Sequence, residues 1–153
     1  MVTPQETKEN ILEVSLAHDH TAPDDGQIHL KVNLTIDGGN PLRCHDDDFE
    51  IAELIKSTTQ DGIYFPWTCS CGERECAGYI EGVDVKINED FIIWSDKDQE
   101  KIYMFKTAAL KAELQALHDA VVQWNQHARS VRAELNIAPA WTMKYLLPAL
   151  GIS

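Results

Sequence analysis

Three of the four cysteines, Cys69, Cys71 and Cys76, fall inside the run FPWTCSCGERECAGY at residues 65–79. The spacing is Cys-x-Cys-x4-Cys. Two thiolates one residue apart can both approach a metal ion when a turn brings alternating side chains together. Gly72 and Gly78 flank the second half of the run and relieve the backbone there. Tetrahedral zinc takes four ligands. The nearest candidates for the fourth are Cys44, which would give an all-cysteine site, and His45, which would give three cysteines and one histidine. Two other readings of the same residues stand beside this one. The thiols are reduced and pack a tight turn, or Cys76 forms a disulfide or redox pair with an earlier cysteine. A cysteine nucleophile needs a positioned base, and His45 serves only if the fold carries it to the loop.

The other polar clusters read as surface. Asp46, Asp47, Asp48, Glu50 and Glu53 crowd the start of an expected helix. Asp47 with Glu50 three residues on has the form of a capping box, and negative charge there suits the helix dipole. Five acids exceed what a cap uses, so Asp46, Asp48, Glu50 and Glu53 are candidates for contact with a basic partner. His18 and His20 flank Asp19: on a continued first strand both imidazoles would share a face and could bind a metal, whereas in the turn-rich loop they read as solvent-exposed. In the run KIYMF, Tyr103 shares a face with Phe105, and Trp94 closes the apolar run FIIW. Either the sheet is covered on both faces, or Trp94 and Tyr103 present aromatic surface for recognition. No Gly-rich phosphate loop, serine-nucleophile motif or His-Glu-x-x-His occurs, and the chain reads as a non-enzyme.

The string FPWTCSCGERECAG resembles a motif, F-P-x-T-C-x-C-G-x-x-x-C-x-G, of small bacterial proteins in which it precedes a β-meander. The likeness covers about residues 63–105. It brings no catalytic residues with it. Similar small acidic proteins occur among the accessory and immunity-type proteins of bacterial conflict systems. That likeness implies a binding protein which neutralises a basic toxin or enzyme by direct contact.

The elements that must position these residues follow from periodicity. Residues 28–36, IHLKVNLTI, alternate apolar and polar side chains, and residues 11–17 keep the same period through Leu12, Val14 and Leu16. The turn-rich segment between them predicts a hairpin. A short helix is expected from about Asp47, with Ile51, Leu54 and Ile55 on its apolar face. Strands are expected at 79–87, 91–94 and 101–105, linked by turns too short for anything but antiparallel pairing. From Thr107, Leu110, Leu114, Leu117, Val121, Trp124, Ala128, Val131 and Leu135 recur at steps of three and four. That stripe predicts one long helix that either breaks near HARS or has an end that projects or packs on another chain, with Leu114, Leu117, Val121 and Trp124 expected to be buried against the sheet. The expected fold is α+β: a single antiparallel sheet, made of the hairpin and a three-stranded meander, with one short and one long helix in one domain of 153 residues.

Composition narrows the partners. The formal charge is −12, from 13 basic and 25 acidic residues. Such a surface repels nucleic acid and anionic membranes, and attracts basic proteins and metal cations. The first residues lack the basic head and apolar core of a signal peptide, and no apolar run is long enough to cross a bilayer. A cytoplasmic protein with reduced cysteines is therefore expected. Two functions remain: an acidic binding protein of immunity type, or a small zinc-binding or thiol-based module that dimerises through its long helix.

Overall fold

A computed structural model describes residues 9–44, 46–71, 73–139 and 142–152. The chain is a mixture of helices and strands, in the order β1 (Leu12–His18), β2 (Ile28–Ile36), β3 (Asp48–Phe49), α1 (Ile51–Lys56), β4 (Gly62–Tyr64), β5 (Trp67–Thr68), a 3-10 turn (Arg74–Ala77), β6 (Val83–Ile87), β7 (Phe91–Asp96), β8 (Lys101–Lys106), α2 (Thr107–Ser130), β9 (Leu135–Ile137) and α3 (Met143–Ala149).

The expected single sheet is instead three, among the described residues. One has the order β1-β2-β9, one is the ribbon β3-β5, and one has the order β4-β6-β7-β8. The hairpin and the meander are both present, but they belong to different sheets. Hairpin register follows the alternation of the sequence: Leu12 opposes Ile36, Val14 opposes Leu34 and Leu16 opposes Val32. The meander gains a fourth strand, β4, which pairs with β6 from Gly62–Val85 to Tyr64–Val83. Pairing is not antiparallel throughout either. β9 runs parallel to β2, Ile28 opposite Leu135 and Leu30 opposite Ile137. The long stretch between these strands supplies the crossover that a parallel pair needs.

Helix α2 carries the stripe that holds the layers together. Leu110, Leu114, Leu117 and Val121 are buried, followed by Asn125 and Ala128 one and two turns on. The helix packs chiefly on β1 and also on α1, β7, β8 and β9. The stripe is spent inside the chain, as expected for Leu114, Leu117 and Val121. The helix is continuous through HARS and stops at Ser130. Arg132 takes a left-handed φ of 56°, and Ala133 N–H returns to the Ala128 carbonyl, the hydrogen bonding of a helix stop. Val131, 54% exposed, and Leu135, in β9, therefore keep the sequence period without belonging to the helix. Trp124 is half-buried and meets the ring of His18 edge-on at 5.5 Å.

A row of aromatic rings links two of the sheets. Phe49 and Trp67 of the ribbon lie 6.3 Å apart, Trp67 and Trp94 of the meander 5.9 Å, and Trp94 and Phe105 5.0 Å. Trp94 is fully buried and Tyr103 only 8% exposed. Neither offers a surface to a partner. They are core because β7 and β8 turn their even and odd positions respectively inward.

The burial of the α2 stripe is testable by chemical denaturation. Leu117→Ala is expected to cost about 2–5 kcal/mol, the usual loss for an emptied core site. Val131→Ala, just past the helix, should change stability by less than about 0.5 kcal/mol. Equal effects would remove Leu117 from the core.

Candidate metal centre

The cysteine loop leaves the core at Thr68 and re-enters it at Tyr79. Its first anchor is the ribbon, in which Asp48 opposes Thr68 and Phe49 opposes Trp67. Thr68 and Trp67 are both buried, so the base of the loop is fixed one residue before Cys69. The other end is the 3-10 turn Arg74–Ala77, closed by Gly78 at a left-handed φ of 85°. The turn needs glycine for that φ; the Arg43 guanidinium, packed 2.9 Å from where a Cβ would stand, is the end of a flexible side chain that can move aside. Arg74 lies with its Cζ 3.7 Å above the Phe65 ring. Beyond the loop, the Asp98 carboxylate accepts the backbone N–H groups of Ile80, Glu81 and Gly82 at 3.0, 2.9 and 2.8 Å.

These constraints bring Cys69, Cys71 and Cys76 together. Their three sulfurs lie within 4.8 Å of one another, close enough to hold a metal ion. Thiolates around one tetrahedral zinc, with Zn–S of about 2.3 Å, stand about 3.8 Å apart, so the cluster needs only a small contraction. All four cysteines are free thiols, which removes the disulfide reading for this state. The Cys71 backbone N–H, and then its side chain, hydrogen-bonds Cys69 and holds that thiol below its usual range. Cys76 is pushed up to about 11, because its hydrogen bonds to Cys69 and Cys71 favour the protonated form. The loop thus already has one sulfur poised as an acceptor and one as a donor.

The expected fourth ligands do not join this group. Cys44 is exposed and lies outside the cluster; His45 falls outside the described residues. The nearby acid is Asp47, whose charge opposes the ionisation of Cys69. Asp47 is also not the helix cap that its spacing to Glu50 suggested. Helix α1 starts at Ile51, with Glu50 in the cap position and no side-chain cap hydrogen bond. The Asp47 Oδ2 instead accepts the Tyr79 hydroxyl at 2.7 Å, and the Tyr79 oxygen accepts the Arg43 N–H at 2.9 Å. Tyr79 is buried, and burial raises its pKa, so it stays a donor. Sequence reading missed Tyr79 and Asp98. The former's signal was its place directly after the Gly78 turn; the latter stands in a charged turn and had none.

The acidic stretch does not form one face. Asp46, Asp47 and Asp48 line a cleft of about 580 Å³ together with Asp19, Lys31 and Ser70. Ser70 is the residue between the first two cysteines, so the loop forms part of the cleft wall. Burial, then the charges of Asp19 and Asp47, raise the pKa of Asp48, while Lys31 lowers it. Glu50 and Glu53 line a different cleft, of about 250 Å³, between α1 and α3. Glu53 Oε1 accepts the Phe65 N–H at 3.1 Å. Glu50 is half-buried beside Glu53, and burial first, then Glu53, pushes its carboxyl up to about 7. It is a poor source of negative charge for a partner at neutral pH.

The Glu50 shift has a defined sign. Its folded pKa lies above the ordinary 4.5, so the folded state holds the proton more tightly than the unfolded chain. The stability this gives is complete below about pH 4.5 and is lost as pH rises through about 7. Glu50→Gln should therefore stabilise the protein at pH 8 relative to the parent, by about 1 kcal/mol after allowance for solvent screening, with no such gain at pH 4. Urea unfolding at the two pH values measures it. A gain of equal size at both would place the effect in packing rather than in charge.

The chain matches no protein-family model, no curated protein and no solved structure. Among the described residues, no helix is long and apolar enough to cross a membrane.

Proposed function

We propose that this chain is a non-catalytic binding protein in which a zinc ion, held by Cys69, Cys71 and Cys76, fixes a loop at the rim of an acidic cleft that receives a basic segment of a partner protein. One observation carries the reading: the three sulfurs cluster within 4.8 Å on a loop whose Ser70 lines the same cleft as Asp46, Asp47 and Asp48. Zinc is favoured by the donor set, since clustered thiolates suit a borderline-soft ion that needs no redox partner. Four aspartates against one lysine make the cleft attractive to cations, and steering by such a field acts mainly on association. The resemblance of residues 65–78 to small bacterial proteins of immunity type supports a narrower form. In it the partner is a basic toxin or enzyme neutralised by contact.

Metal content tests the first half. Protein prepared without added zinc should carry about one equivalent, the occupancy of a single site. Cys69, Cys71 and Cys76 should then resist a thiol reagent while Cys44 reacts, and a chelator should expose all four and lower the melting temperature. Substoichiometric metal with four freely reacting thiols would sink the zinc reading.

Association kinetics test the second half. The probe is the protein encoded by the adjacent reading frame, at low and moderate salt. Asp46→Lys reverses an exposed charge of the cleft and should slow association several-fold at low salt, with the difference shrinking as salt rises. Asp119→Lys, on an exposed position of α2 outside the cleft, should leave the rate within about twofold of the parent. Equal rates for both variants and the parent, at every salt, would leave the cleft as solvated surface.

A further inference from the structure

The three-sulfur cluster leaves one position of a tetrahedral ion unassigned, and the architecture around it offers a specific side chain. Asp48 opposes Thr68 in the ribbon β3-β5. The paired ladder ends there, and Asp47 and Cys69 each lie one residue past its end, in line to continue it. Directly opposed residues on antiparallel strands share a face, with Cβ atoms about 4.5–5.5 Å apart. The turn before β3 reinforces this placement, because Asp47 N–H donates to the Cys44 carbonyl at 3.0 Å. That turn brings Asp47 to the ribbon and leaves the Cys44 side chain exposed.

The carboxylate is also held in place. Tyr79 follows the turn that carries Cys76, and its hydroxyl donates to Asp47 Oδ2 at 2.7 Å. The Tyr79 ring is 1% exposed, and its oxygen is pinned from behind by the Arg43 N–H. One oxygen of Asp47 is thus engaged by a rigid donor, and Oδ1 remains for a second role. A ligating carboxylate hydrogen-bonded by a buried neighbour is the usual outer support of a metal site. The loop therefore gathers three sulfurs, and Asp47, which like Cys44 stands outside that 4.8 Å group, offers a carboxylate held by Tyr79 at the end of the ribbon next to Cys69.

We propose that Asp47 is the fourth ligand of the cysteine site, giving a Cys3Asp centre, and that Tyr79 is its positioning residue. The inference rests on the metal reading above and replaces Cys44 and His45 in the fourth position. It also joins the site to the cleft, since Asp47 lines that cleft. A metal bound there would take up one of the cleft's negative charges.

Cobalt(II) titration of the full chain tests the assignment, because sulfur-to-cobalt charge-transfer intensity reports the number of thiolates. The parent should show the intensity of three thiolates. Asp47→Cys should raise it to that of four, since a thiolate at this position joins only if the position reaches the metal. Cys44→Ser should leave it at three. Asp47→Asn, whose amide oxygen still accepts from Tyr79, should melt like the parent without metal yet bind cobalt and zinc at least about 10-fold more weakly. Tyr79→Phe, which keeps the buried ring, should weaken binding by about 10–100-fold with the charge-transfer intensity unchanged. The proposal is overturned if Asp47→Cys adds no intensity, if Asp47→Asn binds as tightly as the parent, or if Cys44→Ser or His45→Ala is the variant that loses the metal. A parent chain that binds no cobalt would remove the metal reading itself, and this assignment with it.

Discussion

The burial of Trp67 is the constraint on which the rest of the molecule depends. A ribbon of two residues per strand has no stability of its own in water. It persists because Trp67 sits between Phe49, its partner in the ribbon, and Trp94, in the middle of the four-stranded sheet. Rings in this edge-to-face arrangement add to what their buried area already contributes. At the end of β7, the buried carboxylate of Asp96 accepts both the backbone N–H and the side-chain amide of Gln99. That amide donates to the Pro41 carbonyl as well. Trp67 thus couples the ribbon to the meander, and Gln99 ties the meander to the segment entering the acidic turn.

The cysteine loop inherits its order from these ends. The 3-10 turn that carries Cys76 has no buried residue, and Cys71 and Cys76 are exposed. A segment with so little apolar burial of its own cannot offset the entropy of fixing its backbone. It is held by Thr68 on one side, and by Tyr79 with the three N–H groups gathered on Asp98 on the other. Such a loop is the natural place for a ligand to act, because binding energy there becomes ordering energy.

Where the sequence carried a long period, it could be read. β2 lies at 28–36 as its alternation required, and α2 begins at Thr107 where the period changes from strand to helix. The clustering of Cys69, Cys71 and Cys76 was legible because it is local. Elements of two or three residues, β3, β5 and β9, were not, since no periodicity exists at that length. They are strands because a partner lies beside them, and β9 finds its partner more than a hundred residues upstream. The period at Val131 and Leu135 misled for the opposite reason: it runs on after Arg132 has turned the backbone out of the helix. Asp47 carried the signature of a cap, but a hydrogen bond to Tyr79, 32 residues away, outweighed the local option. Trp94 and Tyr103 could be read as recognition residues only while the second face of the sheet had no known cover.

The acidic surplus is not spread evenly over the surface, and that shapes what it can do. Asp48, Glu50 and Asp96 are all partly or wholly withdrawn from water, and burial raises the pKa of each. Each therefore resists ionisation in the folded state, and the cost of charging them grows as pH rises. Lys31, on the outward face of β2, offsets part of this by its attraction to Asp48 and Asp19. One lysine does not neutralise four aspartates in a shared cleft. Any cation that binds the folded state there, whether a metal ion or a basic side chain, relieves the remaining repulsion and stabilises the fold by mass action. The feature that strains the chain in isolation is thus also what would give a positively charged ligand its selectivity for the folded form.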